Sequence, residues 1–527
     1  MSEKKAYDFV VLGGGHNGLL SSIYLAKAGF SVCVLEANKE FGGGTRSQEI
    51  APGYIADTGG MVHNLISKTP IVREDELGLF SKYGLEYEFL DSLCCSIFPN
   101  EEHLILYKDL DKTCEQIAKF SEKDAETYRK FVEYFLKMAG AAAAGTSGAI
   151  PAYGPMMNIL AMSPEGREFI RVMNSSAQQI VEEWFESEEV RVTLTRWCTE
   201  MMIDPRQVGT ATLLAFCASL HAPGNPGAPF PKGGCVNFVN ALCACARDLG
   251  VDLYANEWVN DLVVEDGLVK RVICKSGDEF EAREAVISTI NVRDIYDMLG
   301  DDAPAHERDY IAKIKNSDFV PLNQAYALSK IPEFKTGEEI KDAFCIEFAP
   351  EETEYLRTFS EYLLGGFSPE LPLITIPSLR DPSRAPEGCS VVNIYSYAPW
   401  NLDGDWHNWE TRGEELKKQL WEFFKSRCTN ITDDDIVAVW GCTPLEYTEW
   451  NPAFRDGDIG QIGMQPSQMY DFRPLPGRGH DYHGDIENLY FLGCSSHPGG
   501  AIAGSARTGI QKVLEDYGVD FREIVKK

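Results

Sequence analysis

The sequence has no run of about 18 apolar residues, the length a helix needs to cross a bilayer. No transmembrane segment is therefore expected. Cations are scarce: 49 Lys and Arg stand against 80 Asp and Glu, a formal net charge of −31. A surface this acidic is repelled by phosphate backbones and anionic lipid. Nucleic acid is thus not an expected partner, and electrostatic docking on a membrane is disfavoured. Metal spacings are also missing. The 15 cysteines are scattered, with no CxxC pair and no Cys/His arrangement that suits zinc, so no metal is expected. They read as reduced thiols filling a core, which points to the cytoplasm. Only Lys4 and Lys5 precede the first apolar run, too little for a signal peptide.

What is present is ordinary in bulk and specific in detail. Apolar content of 44% and charged content of 24% fit a globular protein, and 527 residues call for two or three lobes. Tyr7 to Leu12 is a short apolar β-like run, followed at once by Gly13-Gly14-Gly15-His16-Asn17-Gly18. A helical pattern from Leu19 to Ala28 ends at Gly29, and a second apolar run, Ser31 to Leu35, ends at Glu36. Strand, glycine turn, helix, strand and acid form the βαβ dinucleotide unit. Gly13 permits the tight turn, Gly15 lets a pyrophosphate approach, and Gly18 lets helix and strand pack. The helix N-terminus offers unpaired N–H groups to phosphates, and Glu36 would accept from a ribose hydroxyl.

Further glycine segments follow. Phe41-Gly42-Gly43-Gly44-Thr45-Arg46-Ser47 suits backbone wrapped around a cofactor, with Arg46 able to meet an anion. Gly53 to Asn64, which includes His63, is expected to pass nearby. Residues 81 to 224 read as mainly helical, including an amphipathic Ala125 to Met138. A small-residue stretch, Ala139 to Ile150, leads to Met156, Met157, Ile159, Leu160 and Met162; these suit either an apolar substrate cavity or a buried helix pair. Pro223 to Pro231 marks a boundary. Beyond it come a helix from Val236 to Leu249 and β-like runs at Val251–Tyr254, Trp258–Val264, Val269–Cys274 and Glu284–Ser288. Leu371–Ile376, Ser390–Tyr397 and Val437–Trp440 read as strands of a separate substrate domain. Near the end, Leu489–Leu492 leads into Gly493 to Gly504 and a helix from about Ser505 to Tyr517, a second strand–glycine loop–helix element.

These motifs together resemble the phytoene desaturase-like branch of the FAD-dependent oxidoreductases. The similarity is strongest to the subgroup of carotenoid ketolases and pyridine nucleotide-disulfide oxidoreductase domain-containing protein 2. It is carried by GGGHNGL (Gly13 to Leu19), FGGGTRSQEIAPGY (Phe41 to Tyr54) and PKGG (Pro231 to Gly234). PSLRDPSRAPEGCSVVNIYSYAPW (Pro377 to Trp400), NPAFRDGDIG (Asn451 to Gly460) and LYFLGCSSHPGGAIAG (Leu489 to Gly504) complete it. The resemblance implies an α/β fold, a Rossmann-type FAD-binding domain with an inserted α+β substrate-binding domain. It divides the chain into 1–80, 225–295 and 455–527 for FAD, and 81–224 and 296–454 for substrate. The cofactor is expected to be FAD, held by Gly13, Gly15, His16, Asn17, Gly18, Glu36, Gly43, Gly44, Thr45, Arg46, Val259, Gly493, Gly500, Ala501 and Ile502. Cys494 stands where an acid often follows this strand in the amine-oxidase branch.

The implied reaction is hydride transfer between a substrate carbon and the flavin. His497, beside the last glycine loop, and His480 are the catalytic candidates; His483, His63 and Glu449 are further bases. Arg46, Arg473 and Arg507 are candidates for a substrate carboxylate or structural contacts. No second GxGxxG and no redox cysteine pair exist, so a disulfide reductase is not expected. The electron acceptor stays open among oxygen, quinone, nicotinamide and a partner flavoprotein. The substrate is expected to be small, apolar, and conjugated or cyclic. A saturase working in the reductive direction and a reduced-flavin isomerase are the alternatives.

Overall fold

The computed structural model describes residues 5–146, 150–500, 502 and 505–526. Strand Lys5–Leu12 buries its last four residues, the apolar Phe9 to Leu12. It runs parallel to Val32–Glu36 on one side and to Glu279–Ser288 on the other, with Val10 opposite Cys33 and Val286. Asp252–Ala255 extends the parallel order beyond Val32–Glu36. Glu279–Ser288 has two further partners: antiparallel Leu268–Cys274 along its first half, and parallel Leu489–Phe491 along its second. Val259–Glu265 closes this seven-stranded sheet. Helices His16–Lys27, Val236–Asp248 and Ser505–Asp516 pack together on one face, around Leu19, Ile23, Phe238, Leu242, Ile510 and Val513. Strands that carry helices on their faces bury both sides, which is why Val32 to Leu35 is uninterrupted apolar sequence.

A second seven-stranded sheet is mostly antiparallel, built from Ser92–Ile97, His103–Tyr107, Val320–Leu328, Cys345–Phe348, Leu373–Thr375, Ser390–Ala398 and Ile436–Cys442. Residues 81 to 224 thus open with strands before the helices begin. The reason is local: Ser92 to Ile97 is buried at every position. Its adjacent Cys94 and Cys95 point to opposite faces and enter two different cores. All 15 cysteines are free thiols. One face of this sheet is covered by helix Asn408–Arg427, where Trp421 stacks on Tyr326 with ring centroids 4.4 Å apart. Its other face packs in part against the helices between Leu110 and Ser219, through Cys94, Leu104, Leu106 and Tyr397. Among the described residues, no helix is long and apolar enough to cross a membrane.

One buried carboxylate joins segments from three parts of the chain. Asp57, at the end of hairpin strand Tyr54–Asp57, accepts from Ser47 Oγ at 2.6 Å and from Cys235 N–H at 2.8 Å. Its other oxygen accepts from Arg384 Nη1, and neither side chain of that pair is exposed. Arg384 also donates to the Pro231 carbonyl at 2.7 Å and to Asp381 at 3.1 Å. Burial alone would raise the Asp57 pKa, but Arg384 and the N–H and O–H donors hold it below the ordinary carboxylate value. Its stabilisation is therefore complete above the unfolded carboxylate range and is lost as pH falls through the folded value. Asp57→Ala strands the guanidinium in a dry interior and is expected to cost about 3–5 kcal/mol. Urea unfolding at neutral pH measures this; an unshifted midpoint would show that the pair is dispensable.

Candidate active site

Between the two sheets lies one cavity of about 1020 Å³. At one end it is lined by Gly13, Gly15, His16, Asn17, Glu36, Gly43, Gly44, Val259, Gly500 and Ile502. This is the carboxyl end of the parallel strands, where open α/β sheets receive ligands. Gly13 takes φ +94°, and a Cβ on Gly18 would lie 1.9 Å from the Gly13 carbonyl oxygen. Any side chain at position 18 therefore pushes the helix off the turn. Gly15 caps helix His16–Lys27 without a side-chain hydrogen bond, leaving the first-turn N–H groups open toward the cavity. Glu36 accepts from the N–H of Gly14 and of Asn38, each at 2.8 Å. Burial raises its pKa, and those two donors oppose the rise.

Four expected residues stand behind the lining. Gly18 sets the helix–strand approach. Thr45 Oγ1 lies 3.4 Å from His16 Nδ1. Gly493 packs so closely that a Cβ would lie 2.5 Å from the Thr289 carbonyl. Arg46 stacks over Trp450 at 4.8 Å, and its Nε and Nη2 are buried without a protein partner. Ala501 lies outside the described residues. Burial drops the His16 pKa to about 4, so its imidazole is neutral at physiological pH, and its Nε2 has no protein partner. Open helix N–H groups, a buried acid behind the glycine turn, and polar nitrogens lacking protein partners fit a dinucleotide.

Asn17 ties the two glycine elements together across the length of the chain. Its Oδ1 accepts from Ala506 N–H at 3.3 Å, and its Nδ2 lies 4.0 Å from Cys494 Sγ. Cys494 lines the cavity, and burial pushes its thiol up to about 11, keeping it protonated. Arg473 is a clamp, donating to the carbonyls of Gly460, Ile462, Gly463, Gln468 and Cys494. With its guanidinium so occupied, it is not available to a substrate carboxylate. Arg507 is likewise engaged by Glu76 at 2.6 Å.

None of the candidate catalytic histidines is among the residues that line the cavity. Among the described residues, His16 is the one histidine lining the cavity. His497 is buried outside the lining. His480 pairs with Asp471 at 2.6 Å, and His483 contacts its neighbouring Gly484 carbonyl. His63 lies 2.5 Å from the Tyr87 hydroxyl, and burial lowers its pKa to about 3. Glu449 does line the cavity. The methionine-rich segment is also elsewhere: helix Tyr153–Ala161 buries none of its residues, and Met162 is 83% exposed.

The far end of the cavity is a mixed surface that no motif announced. Met61, Leu93, Trp197, Met202, Phe216 and Leu220 form apolar walls. Asn323, Thr375, Asn393 and Tyr395 project from one face of the second sheet, and Glu200 faces them. Glu200 accepts from Arg196 Nη1 at 2.7 Å and from the Tyr397 hydroxyl at 2.5 Å. Behind this pair, Glu347 is fully buried and both its carboxyl oxygens lack a protein partner. Burial raises its pKa to about 8, against the opposing pull of Arg196. The signal available in sequence was an amide inside each apolar strand: Asn323 beside Gln324 in PLNQA, and Asn393 in VVNIY.

Glu347 gives a pH signature. The folded protein keeps a proton up to about pH 8, whereas the unfolded chain loses it near the ordinary value of 4.5. Stability attributable to this group therefore falls as pH rises between those values. Glu347→Gln is expected to remove that decline, so the variant gains on the native protein from pH 5 to 8 in denaturant titrations. Parallel curves for the two proteins would contradict the assignment.

Comparison with known proteins agrees with this architecture. The profile of the NAD(P)-binding Rossmann-like domain matches residues 11–74, and that of flavin containing amine oxidoreductase matches residues 200–513, more than half of the chain. Pyridine nucleotide-disulfide oxidoreductase domain-containing protein 2 of Rattus norvegicus is 26% identical, covering 95% of this chain and 92% of that protein. A phytoene desaturase (lycopene-forming) of Pseudescherichia vulneris is 24% identical, over 96% of this chain and 99% of its own. A crystal structure of an oxidoreductase from Methanosarcina mazei superposes with a TM-score of 0.61 at 16% identity, covering 96% of this chain and 99% of that one. With the family match covering residues 200–513, which hold the last glycine loop and five of the seven strands of the second sheet, the chain belongs to the flavin containing amine oxidoreductases, as a phytoene desaturase-like enzyme whose cofactor is FAD.

Proposed function

We propose that this enzyme is a dehydrogenase of the desaturase type, acting on an apolar, conjugated or cyclic substrate. The observation that carries the reading is that the cavity of about 1020 Å³ joins the glycine-lined dinucleotide end to an apolar chamber. A relative named phytoene desaturase, aligned over nearly its whole length, supports a hydrocarbon-like substrate. In this reading residues 1–80, 225–295 and 455–527 form the FAD lobe, and 81–224 with 296–454 form the substrate lobe.

Bound at the glycine end, FAD supplies the acceptor or donor of a hydride. The remaining work falls to side chains. The open N–H groups after Gly15, together with Arg46, would hold the pyrophosphate, and Glu36 the ribose. Met61, Leu93, Trp197 and Phe216 would orient the substrate body and exclude water. Desaturation also releases a proton, and Glu200 is placed to accept it at the chamber wall, in the role the sequence had suggested for His497 or His480. Arg196 and Tyr397 fix the orientation of Glu200 through its hydrogen bonds. The electrons leave to oxygen, a quinone, nicotinamide or a partner flavoprotein.

The test is anaerobic. FAD-loaded enzyme is mixed with a panel of apolar donors while the visible flavin absorbance is followed. At least one donor is expected to bleach the flavin, and its desaturated product to appear in equal amount. Glu200→Gln is expected to keep its FAD and to slow bleaching about 100-fold or more. A flavin that no donor reduces, yet that isomerises a polyene after chemical reduction, would overturn the dehydrogenase reading in favour of an isomerase.

A further inference from the structure

We infer that the substrate is an acid, an apolar body carrying one carboxylate that pairs with Lys68 at the edge of the apolar chamber. This deepens the reading above and rests on its placement of the substrate in that chamber. The arginines expected to meet such an anion are otherwise engaged: Arg473 and Arg507 by protein groups, and Arg46 over Trp450. Lys68 lines the cavity and keeps an accessible surface. Its Nζ donates to Ser219 Oγ at 2.6 Å, and that hydroxyl donates onward to the Phe216 carbonyl at 2.7 Å. An ammonium has three protons to give. Among the described residues, no carboxylate forms an ion pair with this one.

Local folding sets the ammonium there. Ile66–Lys68 is one tight turn, closed by the Ser67 N–H on the His63 carbonyl at 3.0 Å. The turn is pinned to the last glycine loop, because the Ile66 N–H donates to the Ile502 carbonyl at 3.0 Å. The short helix Ala215–Ser219 supplies Ser219, and its Phe216 ring centroid lies 6.0 Å from Lys68 Nζ. Phe216 and Leu220 line the cavity with it. The cation therefore stands where the chamber wall meets the glycine loop, and a head group held by Nζ has apolar surface beside it for its chain.

The chemistry of a lone ammonium selects the head group. Protein packed around Lys68 displaces bulk water and lowers its pKa to about 8, so the charged form still dominates at pH 7. A neutral oxygen would take one ordinary hydrogen bond from it. A carboxylate takes a charge-assisted one and returns a counter-charge, a gain of about tenfold or more in affinity. A diphosphate carries more charge than one lysine balances. The other cation in the lining, Arg455, is already held by Asp294 and Asp297. Of the acids in the lining, Glu200 is paired with Arg196, and Glu449 stands on a different element, helix Pro444–Trp450. A monoanion on an apolar body is thus the ligand that Lys68 fits.

The experiment measures binding to the FAD-loaded enzyme by equilibrium dialysis at pH 7. The probes are geranic acid and farnesoic acid, each against its methyl ester, with geranyl diphosphate as the polyanion and geranylamine as the cation. Flavin bleaching is followed in parallel. At least one acid is expected to bind about tenfold or more tightly than its ester. Lys68→Met is expected to erase that difference and Lys68→Arg to keep it, both with FAD retained and the flavin spectrum unchanged. Equal binding of acid and ester in both pairs, or a preference that survives Lys68→Met, overturns the inference. So does tighter binding of the diphosphate or the amine than of the acid. Loss of FAD from a folded Lys68→Met would assign the lysine to the cofactor and overturn it too. Should that variant fail to fold, the acid–ester difference on the native enzyme decides alone. Esters that bind and bleach the flavin as well as the acids do would refute the carboxylate while sparing the dehydrogenase. Binding of acids through Lys68, with no bleaching by any donor, would do the reverse.

Discussion

The buried contact between Asp57 and Arg384 is what the cavity depends on. Asp57 closes a hairpin beside the glycine segment, its N–H donor opens helix Val236–Asp248, and Arg384 comes from the loop before strand Ser390–Ala398. A fully buried ion pair is expensive to desolvate, and this one is retained with four further hydrogen bonds around the carboxylate and guanidinium. Its effect is positional: it ties the Ser47–Asp57 hairpin to the start of helix Val236–Asp248 and to the loop before strand Ser390–Ala398. Two further ties complete the closure. Asn17 connects the first helix to the last, and Arg473 gathers five backbone carbonyls beneath the last glycine loop.

Around the cavity, burial outweighs charge. It holds His16 neutral with a pKa of about 4, Cys494 protonated up to about 11, and Glu347 protonated up to about 8. The chain as a whole carries −31, but that charge is mostly spent on the surface. The same cavity is also lined by Met61, Leu93, Trp197 and Phe216, with Glu200 among them held by Arg196. Water would compete for the few hydrogen-bonding groups there, and the apolar walls keep it out.

The dinucleotide end was legible in sequence because its physics is local. A turn with φ +94° at Gly13 and a helix 1.9 Å too close for a Cβ at Gly18 leave glycine as the one residue that fits. The strands at Ser390 and Ile436 were legible as β-like apolar runs. The strand Ser92–Ile97 was hidden because, buried on both faces, it lacks the alternation that marks a strand. The far end of the cavity was not legible. Glu200, Asn323, Thr375, Asn393 and Tyr395 come from four separate elements and meet only through sheet register and helix packing. The placement of the candidate histidines was not legible for a related reason: adjacency to a glycine loop in sequence does not fix which way a side chain faces. The subgroup motif from Pro377 to Trp400 was visible, but its content became clear only in three dimensions. It supplies both the Arg384 anchor and the Asn393 and Tyr395 wall.

The central claim is that one cavity places the flavin ring against the apolar chamber and the polar side chains of the second sheet. A crystal structure of the FAD-loaded enzyme tests it most directly. The account requires the pyrophosphate at the turn from Gly13 to Gly18, Glu36 at the ribose, and the ring extending toward Gly500 with one face open to Asn323, Asn393 and Glu200. A ring directed away from the second sheet, or a cofactor seated outside this cavity, would contradict it.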